Sequence, residues 1–237
     1  MSKTYFAADL HLVSGVSNIN ILKRFFEKIA AGETLYLLGD VFDYWIGSYQ
    51  LNHPDFTEFI KLFSDKVKEG IIIRFIVGNR DFLIDKSFEH KTGVKVIGHK
   101  DLFVLNDLNA FLSHGDLIFN KDRLYYPYNR IVNLILFKRL FQSFPAAVTY
   151  GSARLFRKYS LGNKFSYIWK KEELIKCSKN IFRGQINLLI CGHLHQPQII
   201  NFYIKDKKCS IIILGYLEKS LTYAVVDENR LYLERVE

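Results

Sequence analysis

The chain has 237 residues, 49% of them apolar and 15% aromatic, which is enough for one large domain with its own core and an inserted segment. A net charge of +9 favours acidic partners: a phosphorylated substrate, a nucleic acid or an anionic membrane surface. The sequence holds no uninterrupted run of about 18 apolar residues, which excludes a membrane span, and three irregularly spaced cysteines (Cys177, Cys191, Cys209) fit neither a disulfide scaffold nor a thiolate metal site.

In chain order, Lys3 to Ala8 reads as a short buried strand ending at Asp9. Asp9 and His11 come too early for a signal-peptide core, so a cytoplasmic location is expected. Asn18 to Ala31 has helical spacing and stops at Gly32. Thr34 to Leu38 is an apolar strand, Pro54 to Glu69 an amphipathic helix closed by Gly70, and Ile71 to Val77 a third strand. Val94 to Ile97, Leu102 to Leu105 and Ala110 to Ser113 are further strands, with turns at His99-Lys100 and Asn106-Asp107. Lys121 to Gln185 reads as helical. Ile186 to Cys191 is a continuous apolar strand, and the tail alternates strands over Ile199 to Ile204, Ser210 to Leu214, Leu221 to Val226 and Arg230 to Val236. The expected fold is α/β: a sandwich of two mixed β-sheets flanked by helices, one domain over 1–237 with a helical cap inserted at about 121–185.

Five short motifs follow apolar strands: Asp9-Leu10-His11, Gly39-Asp40-Val41-Phe42-Asp43, Gly78-Asn79-Arg80-Asp81, His114-Gly115-Asp116 and Gly192-His193-Leu194-His195. Ligands of layered α/β folds gather at such strand ends. Imidazole, carboxylate and amide oxygen suit divalent Mn, Fe or Zn. An extended Asp9-x-His11 places both side chains on one face; the same holds for His193-x-His195, unless a turn splits them between two metals. Asp40 is the central candidate for a bridging carboxylate. Two metals roughly 3.5–4 Å apart can hold a bridging hydroxide and clamp a phosphoryl oxygen. No nucleophile elbow or P-loop is present.

This motif set resembles the calcineurin-like metallophosphoesterase superfamily. The resemblance covers about residues 3–120 and 186–226, and implies one metal on Asp9, His11, Asp40 and His195 and another on Asp40, Asn79, His114 and His193. Ala8 to Leu12, Gly39 to Gly47 and Gly78 to Leu83 are similar to the UDP-2,3-diacylglucosamine hydrolase family. That resemblance implies two divalent ions, manganese being the expected one, and a substrate that is a UDP-linked diacyl sugar lipid. It further implies cleavage of the pyrophosphate to UMP and lipid X in lipid A synthesis, by a peripheral enzyme at the cytoplasmic face of the inner membrane. Asn79, Arg80, His114 and His193 are then the catalytic set. Arg80 stands where many superfamily members have His; it cannot act as a general acid, but it can grip phosphate oxygens in pairs.

The 121–183 stretch carries fourteen Lys and Arg against three acids and is rich in large apolar residues, Ile131, Leu134, Phe137 and Phe141 among them. That combination suits an interfacial or acyl-binding cap. The family's substrate-binding pattern extends onto Asp122, Ser160, Asn163 and Lys164, alongside Asn79, Arg80 and His193. Lys121, Tyr167, Leu194, Gln196 and Tyr216 depart from it. No nucleic acid or protein partner is expected. Two other readings stand beside this one: a nuclease or cyclic-nucleotide phosphodiesterase of the same superfamily, and a non-catalytic scaffold on its fold.

Overall fold

The protein is described here by a computed structural model covering residues 2–15, 19–105, 108–120, 168–228 and 230–237. Two sheets form the frame. The first has six strands in the order β11 (Arg230–Val236), β10 (Leu221–Asp227), β1 (Thr4–Ala7), β2 (Thr34–Leu38), β3 (Ile72–Ile76) and β4 (Lys95–Gly98). Within it β1 to β4 run parallel, and β10 and β11 add an antiparallel edge. The second has five strands in the order β5 (Lys100–Leu105), β6 (Leu108–Ser113), β7 (Leu188–Cys191), β9 (Lys207–Ile213) and β8 (Gln198–Ile204). β6, β7 and β9 are parallel there. This is the sandwich of two mixed β-sheets flanked by helices expected from the sequence.

The central strands β1, β2 and β7 read as continuous apolar runs because both of their faces are covered. Phe6, Leu38, Ile76, Leu112, Leu188, Ile190 and Ile212 fill the space between the sheets. Tyr5, Leu35, Leu37 and Phe75, one residue out of phase, meet helices α1 (Ile19–Phe26) and α2 (Pro54–Lys68) on the outer face of the first sheet. Leu189, Cys191, Ile211 and Ile213 point the other way from the second sheet, against Leu174 and Phe182.

Several boundaries differ from expectation for local reasons. Helix α1 ends at Phe26 rather than Ala31: beyond it Lys28 and Ile29 donate to carbonyls three residues back, so the chain tightens into turns. Lys100 lies in β5, not in a turn. Helix α3 (Lys86–Thr92) escapes the periodicity argument because it has only seven residues, yet its punctuation is written in the sequence. Asp85 caps its start by accepting from Ser87 N at 2.9 Å, and Gly93 closes it in the left-handed region. Of the segment expected to be helical, 121–167 lies outside the described residues. Helix α4 (Lys171–Ser178) is helical as expected, while 179–187 forms turns leading into β7.

Candidate metal centre

The carboxyl ends of β1, β2, β3, β6 and β7 all open on one edge of the sandwich, and each motif follows one of these strands. Backbone hydrogen bonds stitch the loops together. Asp9 N donates to Gly39 O at 3.1 Å, His11 N to Asp40 O at 3.0 Å, and Gly192 N to His114 O at 2.9 Å.

The backbone here is not extended. Asp9 (φ +54), His11 (+45), Asp40 (+50), His193 (+70) and His195 (+54) all lie in the left-handed region, at a cost of about 1–3 kcal/mol each that the surrounding packing must offset. The expectation that Asp9 and His11 share a face by strand alternation is therefore overturned: two left-handed residues, not a pleat, bring them together. The same conformation splits the other pair. The His193 ring lies 5.1 Å from that of His114, whereas His195 faces His11, with their Nε2 atoms 3.2 Å apart.

Two tight ligand groups result, Asp9–His11–His195 and Asp9–Asp40–His114, and Asp9 belongs to both. Asp9 is fully buried; its Oδ2 accepts from His193 N at 2.7 Å and its Oδ1 faces His195 Nε2 at 3.3 Å. Burial pushes the Asp9 carboxyl up, but the contact with His195 and the charges of His114 and His11 hold it well below the usual range. Its Oδ1 lacks a hydrogen-bond donor although it is buried. Such an atom calls for a cation, and the mixed N/O donors around it fit a divalent transition ion. Glycines make the room. A Cβ at Gly78 would collide with the Asp40 carboxylate and one at Gly192 with that of Asp9.

His114 is fully buried, its Nδ1 3.0 Å from Leu38 O and its Nε2 3.0 Å from Asn79 Oδ1 and 3.5 Å from Asp40 Oδ1. A carbonyl only accepts, so Nδ1 carries a proton and Nε2 faces the site. Burial disfavours the imidazolium, yet Asp40, Asp9 and Asp116 outweigh it and raise His114 to about 9. Burial and then His114 push His193 down to about 4; burial does the same to His11.

Arg80 arches over the Asp40 side. Its backbone N donates to Asp40 Oδ1 at 2.9 Å, its Nε lies 3.3 Å from Asp40 Oδ2, and its Nη1 donates to Asp43 Oδ1 at 2.9 Å. Beneath it Asp81, fully buried, accepts from Gly78 N at 2.6 Å and Val41 N at 2.7 Å, tying the second and third motifs together. Burial, reinforced by Asp40, lifts its carboxyl to about 7. Asp43 and Asp81 carry roles that residue types alone do not announce, though both lie inside the motifs. Tyr216 stacks on His195 with centroids 4.7 Å apart, a contact with no sequence signal. Asp122, Ser160, Asn163 and Lys164 lie outside the described residues, as do Lys121 and Tyr167.

A family model described as calcineurin-like phosphoesterase matches residues 2–197. A protein named UDP-2,3-diacylglucosamine hydrolase from Edwardsiella ictaluri is 31% identical over 97% of this chain and 90% of its own length. One of the same name from Haemophilus influenzae is 32% identical over 93% of this chain and 92% of its own.

Proposed function

Because the chain belongs to the calcineurin-like phosphoesterases and, among them, to the UDP-2,3-diacylglucosamine hydrolase family, we propose that it cleaves the pyrophosphate of a UDP-linked diacylglucosamine. The products are UMP and 2,3-diacylglucosamine 1-phosphate. The observation that carries this reading is the convergence of Asp9, His11, Asp40, His114 and His195 into two adjoining ligand groups in a chain of this metallophosphoesterase family.

Two divalent ions, with manganese the expected one, are the proposed cofactors. Asp9, His11, Asp40 and His195 hold one; Asp40, Asn79, His114 and His193 hold the other. Such ions supply Lewis acidity and lower the pKa of water at the site. The protein's own groups do the rest. Leu38 O holds the proton of His114 on Nδ1, which turns the Nε2 lone pair inward once its second proton leaves. Arg80 brings fixed positive charge: Asp43 holds Nη1 and Asp40 faces Nε, and its planar fork suits a phosphate oxygen. His193 stands beside His114 on the same side. Asp122, Ser160, Asn163 and Lys164 are the proposed contacts to nucleotide and sugar phosphate, on a cap over about 121–185 whose basic and apolar residues suit acyl chains and an anionic membrane face. The proposed association with the inner membrane is peripheral; no helix among the described residues is long and apolar enough to cross a membrane.

The test is product identification by mass spectrometry after incubation with Mn²⁺ and the UDP-diacylated sugar, for wild type and His114→Ala. UMP from the wild type and almost none from the variant is the expected result. Hydrolysis of simple phosphodiesters without UMP release would reject the substrate.

A further inference from the structure

The His195 ring is held unlike that of His114. Among the described residues its polar contacts are all at Nε2, toward His11 and Asp9; no carbonyl or carboxylate fixes its Nδ1. An imidazole held at one nitrogen can rotate about a broad χ2 torsion. Two rings limit that rotation. The His11 ring meets it edge-on at 5.1 Å, and Tyr216 lies flat against it, with centroids 4.7 Å apart and planes inclined by 22°.

Tyr216 is itself anchored at both ends. Its hydroxyl donates to Glu218 Oε2 at 2.6 Å. Its turn is pinned on one side by Gly215 N donating to Thr222 O at 3.1 Å, and on the other by Leu217 N donating to Asp9 O at 3.1 Å. A single turn thus touches both Asp9, through its backbone, and His195, through its ring.

We propose that Tyr216 is a positioning residue: its stacked ring sets the plane of the His195 imidazole and so aims Nε2 at the cation shared with Asp9 and His11. This rests on the proposed metal centre. The stack replaces the hydrogen bond that usually orients a ligating histidine.

The experiment titrates the protein with Mn²⁺ alone by calorimetry, comparing wild type, Tyr216→Phe, Tyr216→Leu, Tyr216→Gln and His195→Ala, with Tm recorded for each. Tyr216→Leu and Tyr216→Gln are expected to weaken one of two Mn²⁺ sites by roughly tenfold, the scale of a lost orienting partner. Tyr216→Phe, which keeps the stack, should stay within about threefold of wild type. Wild-type affinities in both unstacked variants, while His195→Ala loses a site, would overturn the proposal. So would a loss in Tyr216→Phe as large as in Tyr216→Leu. If the wild type binds no Mn²⁺, or His195→Ala keeps both sites, it is the metal-centre reading itself that fails.

Discussion

The Nε2 atoms of His11 and His195 face each other across 3.2 Å, although 184 positions separate the two residues in the chain. Both also approach Asp9 Oδ1, at 3.9 and 3.3 Å. Lone pairs aimed at one another this closely need a shared proton or a cation among them. His11→Ala and His195→Ala are each expected to lower the bound manganese from two ions to one, measured by elemental analysis after desalting. Turnover of the UDP-linked substrate should fall by about a hundredfold or more, beyond the loss seen on removing an orienting partner.

The second group gives a pH dependence. His114 without metal holds a proton on both nitrogens up to about pH 9, and a metal at Nε2 must displace one. Manganese binding between pH 7 and 8 is expected to release close to one proton from His114, read from calorimetry in buffers of different ionisation enthalpy. Apparent affinity should rise about tenfold per pH unit, levelling near pH 9. The stability effect has the opposite sign. A raised imidazolium stabilises the metal-free fold fully below its unfolded pKa of about 6.5. That contribution is lost as pH climbs toward 9, so the metal-free protein should melt at lower temperature at pH 9 than at pH 6.5.

Arg80 joins Asp40 and Asp43, and its geometry matters as much as its charge. Arg80→Lys keeps the charge but not the fork. Loss of one charge-assisted hydrogen bond, about 1.5–3 kcal/mol, corresponds to a fall in kcat/KM of roughly 10- to 100-fold. Manganese binding should remain within about threefold of wild type. If instead metal is lost and catalysis of the residual loaded fraction is normal, the role of Arg80 is to hold Asp40 and not to meet phosphate.

Gly192 has an ordinary backbone conformation, so alanine there is a purely steric probe. Its Cβ would lie 2.5 Å from Ala8 Cβ and would also collide with Asp9 Oδ2. Gly192→Ala is expected to cost about 1–3 kcal/mol, as overpacking does, and to displace the Asp9 carboxylate. Denaturant unfolding and manganese titration on the same preparation check both outcomes; unchanged affinity would mean that Asp9 has slack to move.

Much of the fold was legible locally. Thr34–Leu38 and Arg230–Val236 match their expected bounds because an apolar run, or an alternating one, bounded by turn residues is a property of neighbouring positions. The motifs were legible for the same reason, since each sits directly behind such a run. What the short α3 helix needed was attention to Asp85 and Gly93 at its ends, not to its periodicity.

Pairing between the motifs is a different kind of fact. Sequence alone marked Asp9, His11, Asp40, Asn79, His114, His193 and His195 as donors, because donor chemistry belongs to the residue type. Residue types leave open which histidine goes where, a division that the family resemblance implied; the tertiary structure brings His193 beside His114 and His195 beside His11, and it alone puts Asp9 in both groups and lays Tyr216 flat on His195. Those relations depend on strand order across two sheets and on five left-handed residues held there by packing far along the chain. Local propensity disfavours such backbone, so no short stretch of sequence could announce it.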